Sequence, residues 1–176
     1  MQKHETQFFQ SRTPRGFTLV EILIVVVILG ILAAIAVPKL SNATQVAREG
    51  SLKDNLRFMR TQITVYRSQH RDVFPGFPAG DMSRAPTTDD FTAQMTQYTD
   101  DFGNTSATQS NTFKWGPYVP KMPDNPVNSK NTVKLLGPTD TMTADDSTGW
   151  LYQPTTGLMS PNVSGSDSEG HPYSDY

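Results

Sequence analysis

Twenty-one consecutive residues, Phe17 to Val37, include only three that are not plainly apolar: Thr18, Glu21 and Gly30. At about 1.5 Å per residue such a run makes a helix about 30 Å long, the hydrocarbon thickness of a bilayer. A helix apolar on every side needs lipid or other helices around it, not a single core face. The rest of the chain bears the cost. Only 36% of the 176 residues are hydrophobic, and this block takes a large share of the Ile, Leu and Val. One modest, core-poor domain is left to follow it. The absence of cysteine excludes disulfides, thiolate metal sites and cysteine nucleophiles.

The net charge of −2 hides a sorted distribution. Residues 1–16 carry +2, the block with Pro38 carries only Glu21, residues 39–72 carry +4, and residues 73–176 carry −7. Basic groups before the block and none inside it predict a spanning helix with a cytoplasmic N-terminus and the remainder outside. A near-neutral total gives no reason to expect nucleic-acid binding.

Two simpler explanations compete for the block. One is a cleaved secretory signal, for which Ala34-Ile35-Ala36 offers a small-x-small site. The other is a plain signal anchor. Glu21 argues against both, because a carboxylate at the centre of a spanning helix costs about 2.5–3.5 kcal/mol and neither explanation needs it. An acid in such a place calls for a partner. Cleavage after Gly16 would create one, since the new α-amino group of Phe17 would stand four residues before Glu21, on the same helix face. In a packed assembly that amine could also pair with Glu21 of an adjacent subunit and neutralise both charges.

The segment Gly16-Phe17-Thr18-Leu19-Val20-Glu21, the apolar run and Ala36-Val37-Pro38 closely resemble the class III signal of type IV pilins and type II secretion pseudopilins. Within that family the later segments Trp115-Gly116-Pro117-Tyr118-Val119-Pro120, Pro123-Asp124-Asn125-Pro126 and Gly149-Trp150-Leu151-Tyr152 are most like the head of a major pseudopilin. The resemblance implies cleavage between Gly16 and Phe17 by a membrane prepilin peptidase, and N-methylation of Phe17, which keeps the amine's charge. It implies that Glu21 and Phe17 guide entry into a filament. The chain would be a substrate of that processing and not an enzyme. The implied partners are further copies of the chain, the prepilin peptidase, an inner-membrane assembly platform, minor pseudopilins and the membrane itself. The implied location is the bacterial inner membrane, single-pass, with a periplasmic head, and then the pseudopilus. Two alternatives stay open. One is a type IV pilin for adhesion, motility or DNA uptake; the other is a membrane-anchored periplasmic binding or enzyme domain.

The expected fold class is α+β: a long N-terminal helix packed on a small antiparallel sheet, as in pilin-like proteins. The domains would be a cleaved leader (1–16), a transmembrane or filament-core helix (17–38), an amphipathic second half (39–72) and a loop-rich head (73–176). Leu52, Leu56, Met59, Ile63 and Tyr66 recur at helical spacing, with His70 next in register, so one helix is expected from about 17 to 71. Arg57, Arg60, Arg67 and Arg71 fall off that stripe and suit a solvated face. Pro38 lacks an N–H to give and predicts a kink. A short helix is expected at about 88–99, capped by Thr87 or Thr88, with Phe91, Met95 and Tyr98 on one face. Strands are expected at about 113–160, in Phe113–Pro120, Thr132–Leu136 and Gly149–Gln153, with a turn at Thr155-Thr156-Gly157.

No catalytic constellation emerges. His4, His70 and His171 are scattered, and no phosphate loop, nucleophile elbow or zinc-protease motif occurs. No cofactor is required, although the resemblance implies a structural calcium ion in the late loops of the head. Asp167, Glu169 and Asp175, within Gly165–Asp175, are the candidate ligands, and Asp145-Asp146 form a weaker pair. A solvated acidic tail is the competing expectation.

Overall fold

The computed structural model describes residues 16–176, so the expected leader lies outside the described residues except for Gly16. The chain divides into a unit ending at Ser41 and a second unit, Asn42–Tyr176. One helix, α1 (Leu19–Gln69), contributes to both. The kink expected at Pro38 falls on a position whose side chain is outside the description.

Among the described residues of the first unit the helix is exposed. From Leu19 to Val37 its large apolar side chains are all between 50 and 82% exposed. By length and composition the helix can cross a membrane.

The second unit begins where the periodicity becomes amphipathic. Leu52, Leu56, Met59, Ile63 and Tyr66 are at most 2% exposed. Covering them is worth about 1.5–3 kcal/mol for each large side chain. His70 continues the stripe just past the helix end and is buried too. It stacks on Tyr66 at 3.8 Å between ring centres, and its Nδ1 lies 2.7 Å from the Tyr66 carbonyl. A carbonyl only accepts, so Nδ1 carries the proton and Nε2 accepts from the Thr99 hydroxyl at 2.9 Å. Arg71 and Asp72 then turn the chain through left-handed backbone, and Asp72 pairs with Arg67 at 2.8 Å. The solvated face expected of the arginines has an exception in Arg60. It reaches in to donate to the Met159 carbonyl at 2.7 and 3.0 Å.

The head packs on this stripe. Helix α2 (Thr88–Thr96) starts at Thr87, whose hydroxyl accepts the Asp90 N–H at 3.0 Å. It stops three residues short of the expected 99. Thr99 exchanges both backbone bonds with Trp115, at 2.9 and 3.1 Å, which requires extended chain there. Strand β1 (Tyr98–Thr99) pairs antiparallel with β2 (Thr105–Ser106). No strand forms over Phe113–Pro120, contrary to expectation. Pro117 and Pro120 have no N–H for a ladder. The N–H groups of Tyr118 and Val119 instead both donate to the Met95 carbonyl at 3.0 Å, at the end of α2.

The remaining sheet is mixed rather than antiparallel. Its strands are β3 (Val133–Leu135), β4 (Trp150–Gln153) and β5 (Leu158–Pro161). β3 runs parallel to β4, with Val133 opposite Trp150, because residues 136–149 carry the chain back before β4 begins. β4 and β5 form an antiparallel hairpin, Gln153 opposite Leu158. β4 is central and wholly buried. Tyr152 packs on Phe91 at 4.3 Å between ring centres and donates its hydroxyl to the Pro75 carbonyl at 3.0 Å, while Trp150 donates to the Pro123 carbonyl at 2.9 Å. An α+β, pilin-like architecture results.

A head this poor in strand must satisfy loop backbone by other means. Buried Gln94 does much of it. Its amide oxygen accepts the Gly76 N–H at 2.7 Å, and its nitrogen donates to the carbonyls of Phe77 and Gly103 at 2.9 and 3.0 Å.

Candidate functional site

The first candidate site is the start of α1. Gly16 is exposed, and a methyl group added to it would meet nothing within 4 Å among the described residues, which therefore set no steric demand for glycine there. Phe17 is 79% exposed. Thr18 and Glu21 form a reciprocal cap. The Glu21 N–H donates to the Thr18 hydroxyl oxygen at 3.2 Å, and the Glu21 carboxylate accepts from the Thr18 N–H and hydroxyl, each at 3.2 Å. This is the Thr-x-x-Glu capping box, and it explains why the helix begins at Leu19. The sequence carries that signal in Thr18-Leu19-Val20-Glu21, a role for Glu21 beyond the one expected in assembly. Glu21 thus serves its own helix end here, where the nitrogen of Phe17 is a backbone amide.

The second candidate site is the loop after β5. Asp167, Glu169 and His171 bring one ligand atom each within 4.8 Å of one another. Asp175, expected among the ligands, lies outside this group; its carboxylate accepts from the Ser174 hydroxyl at 3.1 Å. The Asp145-Asp146 pair is engaged elsewhere. Asp145 pairs with Lys134 at 2.6 Å and takes bonds from Ser147 and Asn162, and Asp146 accepts from Ser164. Those donors hold the Asp145 carboxyl well below the usual carboxylate range, with Lys134 the largest influence.

Both oxygens of Asp167 are already taken up by protein donors. Its side chain is only 1% exposed. One oxygen accepts the N–H groups of Glu169 and His171 at 2.9 and 2.8 Å, and the other accepts the Tyr176 hydroxyl at 2.6 Å. Lys53 stands 3.9 Å from that second oxygen. Calcium takes six to eight oxygen ligands at about 2.3–2.6 Å. Here an ion would have to displace a hydroxyl and sit beside an ammonium, and the ligating side chains gathered there are two carboxylates and an imidazole. The protein donors, led by the Tyr176 hydroxyl, instead bring the Asp167 carboxyl down to about 2.

Next to it lies a carboxylate that the sequence did not single out. Glu49, on α1, is 5% exposed. It accepts from Ser168 N–H at 2.9 Å, Ser168 hydroxyl at 2.6 Å, Gln45 at 2.9 Å and Tyr173 hydroxyl at 3.3 Å. Burial opposes its charge, but these hydrogen bonds outweigh burial and lower its pKa.

The Prokaryotic N-terminal methylation motif matches residues 11–37. The chain is 28% identical to the type II secretion system core protein G of Aeromonas hydrophila over 131 residues, 73% of this chain and 77% of that one. It is 40% identical to the core protein G of Pseudomonas aeruginosa over 58 residues, 33% of this chain and 41% of that one. The type IV major pilin protein PilA of Myxococcus xanthus is 39% identical over 72 residues, 41% of this chain and 32% of that one. No solved structure gave a significant match.

Proposed function

We propose that this chain, which carries the N-terminal methylation motif and has homologues among type II secretion core G proteins, is a structural subunit of a pseudopilus. The observation that carries this is the pairing of Gly16-Phe17-Thr18-Leu19-Val20-Glu21 with a helix whose apolar side chains are exposed all round. Such a surface is stable in lipid or against copies of itself. Repeated heterologous contacts that do not close on themselves then generate a helical filament.

In this reading a prepilin peptidase cuts between Gly16 and Phe17 and the new amine is methylated. A glycine that the fold does not need suits the demands of a peptidase. Before assembly the helix spans the inner membrane, with the leader cytoplasmic and the head periplasmic, in line with the basic residues ahead of the block. Glu21 then leaves its cap for the amine of an incoming neighbour, and Pro38 provides a point where the helix bends or loosens during packing. The assembly platform and minor pseudopilins supply the machinery, and growth of the filament drives protein export. The role is mechanical and needs no catalysis by this chain.

The likeness to PilA supports a second reading, a type IV pilin for adhesion, motility or DNA uptake. It reaches a smaller share of either chain than the likeness to the Aeromonas protein. Mass spectrometry of the protein recovered from membranes tests the common core of both: the expected mature chain begins at N-methylated Phe17. A chain starting at Met1 or at Val37 would overturn it. Deleting the gene separates the two, through loss of export on one side or loss of surface filaments on the other.

A further inference from the structure

The family resemblance implies a calcium ion in the late loop, and the geometry there points elsewhere. Two buried carboxylates, one on α1 and one in the loop, are each surrounded by protein donors. Glu49 takes Ser168 and Tyr173 from the loop, with Gln45 from its own helix. Asp167 takes two loop N–H groups and the Tyr176 hydroxyl, with Lys53 of α1 beside it. The two halves interlock, for Lys53 also lies 4.4 Å from the centre of the Tyr176 ring, and Tyr176 packs edge-on against Tyr173 at 5.6 Å. Backbone bonds close the loop on itself: Asp167 N–H to His171 carbonyl at 2.8 Å, Gly170 N–H to Asp167 carbonyl at 3.1 Å, and Tyr173 N–H to Gly165 carbonyl at 3.2 Å.

We propose that this interlock is a metal-independent latch: Glu49 and Asp167, with Lys53, Ser168, Tyr173 and Tyr176, hold loop 165–176 on α1 in place of a calcium ion. A bound cation organises a loop by gathering oxygens around a positive charge. The latch inverts that logic and gathers hydroxyls, amides and an ammonium around two negative ones. Charge-assisted bonds of this kind are about twice as strong as neutral ones, which suits the fastening of a thin-cored head. The latch stands whether or not the subunit enters a filament.

The test is thermal unfolding of the full chain in detergent, followed by circular dichroism in excess chelator and in millimolar calcium chloride. The expected result is the same Tm in both. Glu49→Gln and Tyr176→Phe should each lower Tm by roughly 3–10 °C, equally with and without calcium. A wild-type Tm that rises with calcium, or falls with chelator, overturns the proposal. So does calcium restoring the Tm of Tyr176→Phe, or a Tyr176→Phe chain that melts with the wild type. Tyr176→Phe removes a single hydroxyl, so it decides the matter even if Glu49→Gln does not fold.

Discussion

Thr18 and Glu21 hold one another at the start of α1, the hydroxyl oxygen accepting the Glu21 N–H and the carboxylate accepting both Thr18 donors, each at 3.2 Å. In the proposed assembly this one side chain does two things, finishing its own helix and offering a charge to a neighbour. The two roles separate experimentally.

Glu21→Gln keeps an acceptor for the capping box but carries no charge. Thr18→Ala removes the hydroxyl cap, at about 1 kcal/mol, and keeps the charge. If assembly depends on the carboxylate, Glu21→Gln stops incorporation as completely as Glu21→Ala, and Thr18→Ala still assembles. Sheared filaments quantified by immunoblot read this out. Wild-type filament yield from Glu21→Gln would assign the residue to capping alone.

Gln94→Leu keeps nearly the same volume but leaves the Gly76 N–H and the Phe77 and Gly103 carbonyls without their partner. Each buried polar group deserted in this way costs about 1–3 kcal/mol. The expected outcome is a head that is unfolded or melts far below the wild type, seen by circular dichroism in detergent. A loss of only a degree or two would mean that water replaces the amide.

Gly157 closes the β4–β5 hairpin at φ +73, and a Cβ there would come within 2.2 Å of the Phe74 ring. Gly157→Ala therefore meets a disfavoured backbone and a clash together, and should lower stability by more than about 1 kcal/mol. Gly50→Ala, on the exposed face of α1 with nothing within 4 Å, is the control. It should stabilise the helix by roughly 0.5–1 kcal/mol. Chemical denaturation of both variants checks the contrast.

Acid should loosen the latch. Folding lowers the pKa of Glu49 from 4.5, burial opposing and the Ser168, Gln45 and Tyr173 bonds prevailing, and lowers that of Asp167 from 3.8 to about 2. Groups depressed in the folded state stabilise it fully above their unfolded values and lose that contribution as pH falls through the folded ones. Lys53 and His171 face Asp167 at 3.9 and 3.5 Å, and Glu169 lies 3.7 Å from His171. Tm should fall between about pH 4.5 and 2, and Asp167→Asn should flatten part of that slope. An unaltered slope in the variant would mean that other carboxylates carry it.

Much of α1 and its neighbours was legible from residue order. The stripe from Leu52 to Tyr66 buries as its spacing indicates, and Thr87 caps α2. Periodicity reads such contacts because they lie within one turn or one element. It carries no record of strand direction, and so the parallel setting of Val133 against Trp150 was not anticipated. The aromatic run Phe113–Pro120 looked like a strand by composition, whereas its two prolines and the pull of the Met95 carbonyl made it a loop. In the candidate sites, Gly16, Phe17 and Glu21 stood out because their motif is contiguous. Glu49 did not, since its partners Ser168 and Tyr173 lie more than a hundred positions along the chain.

That distance has a kinetic side. Ser168 and Glu49 stand 119 residues apart, and drawing the ends of so long a loop together costs about 4 kcal/mol of chain entropy. Contacts of such range slow folding, because their cost falls before their reward. Helix α1 can form as soon as its own residues are present, but the loop that seats on Glu49 waits for nearly everything between them to be made. Until it arrives, Gln45, Glu49 and Lys53 lack their loop partners, and the head stays open at the seam between α1 and residues 165–176.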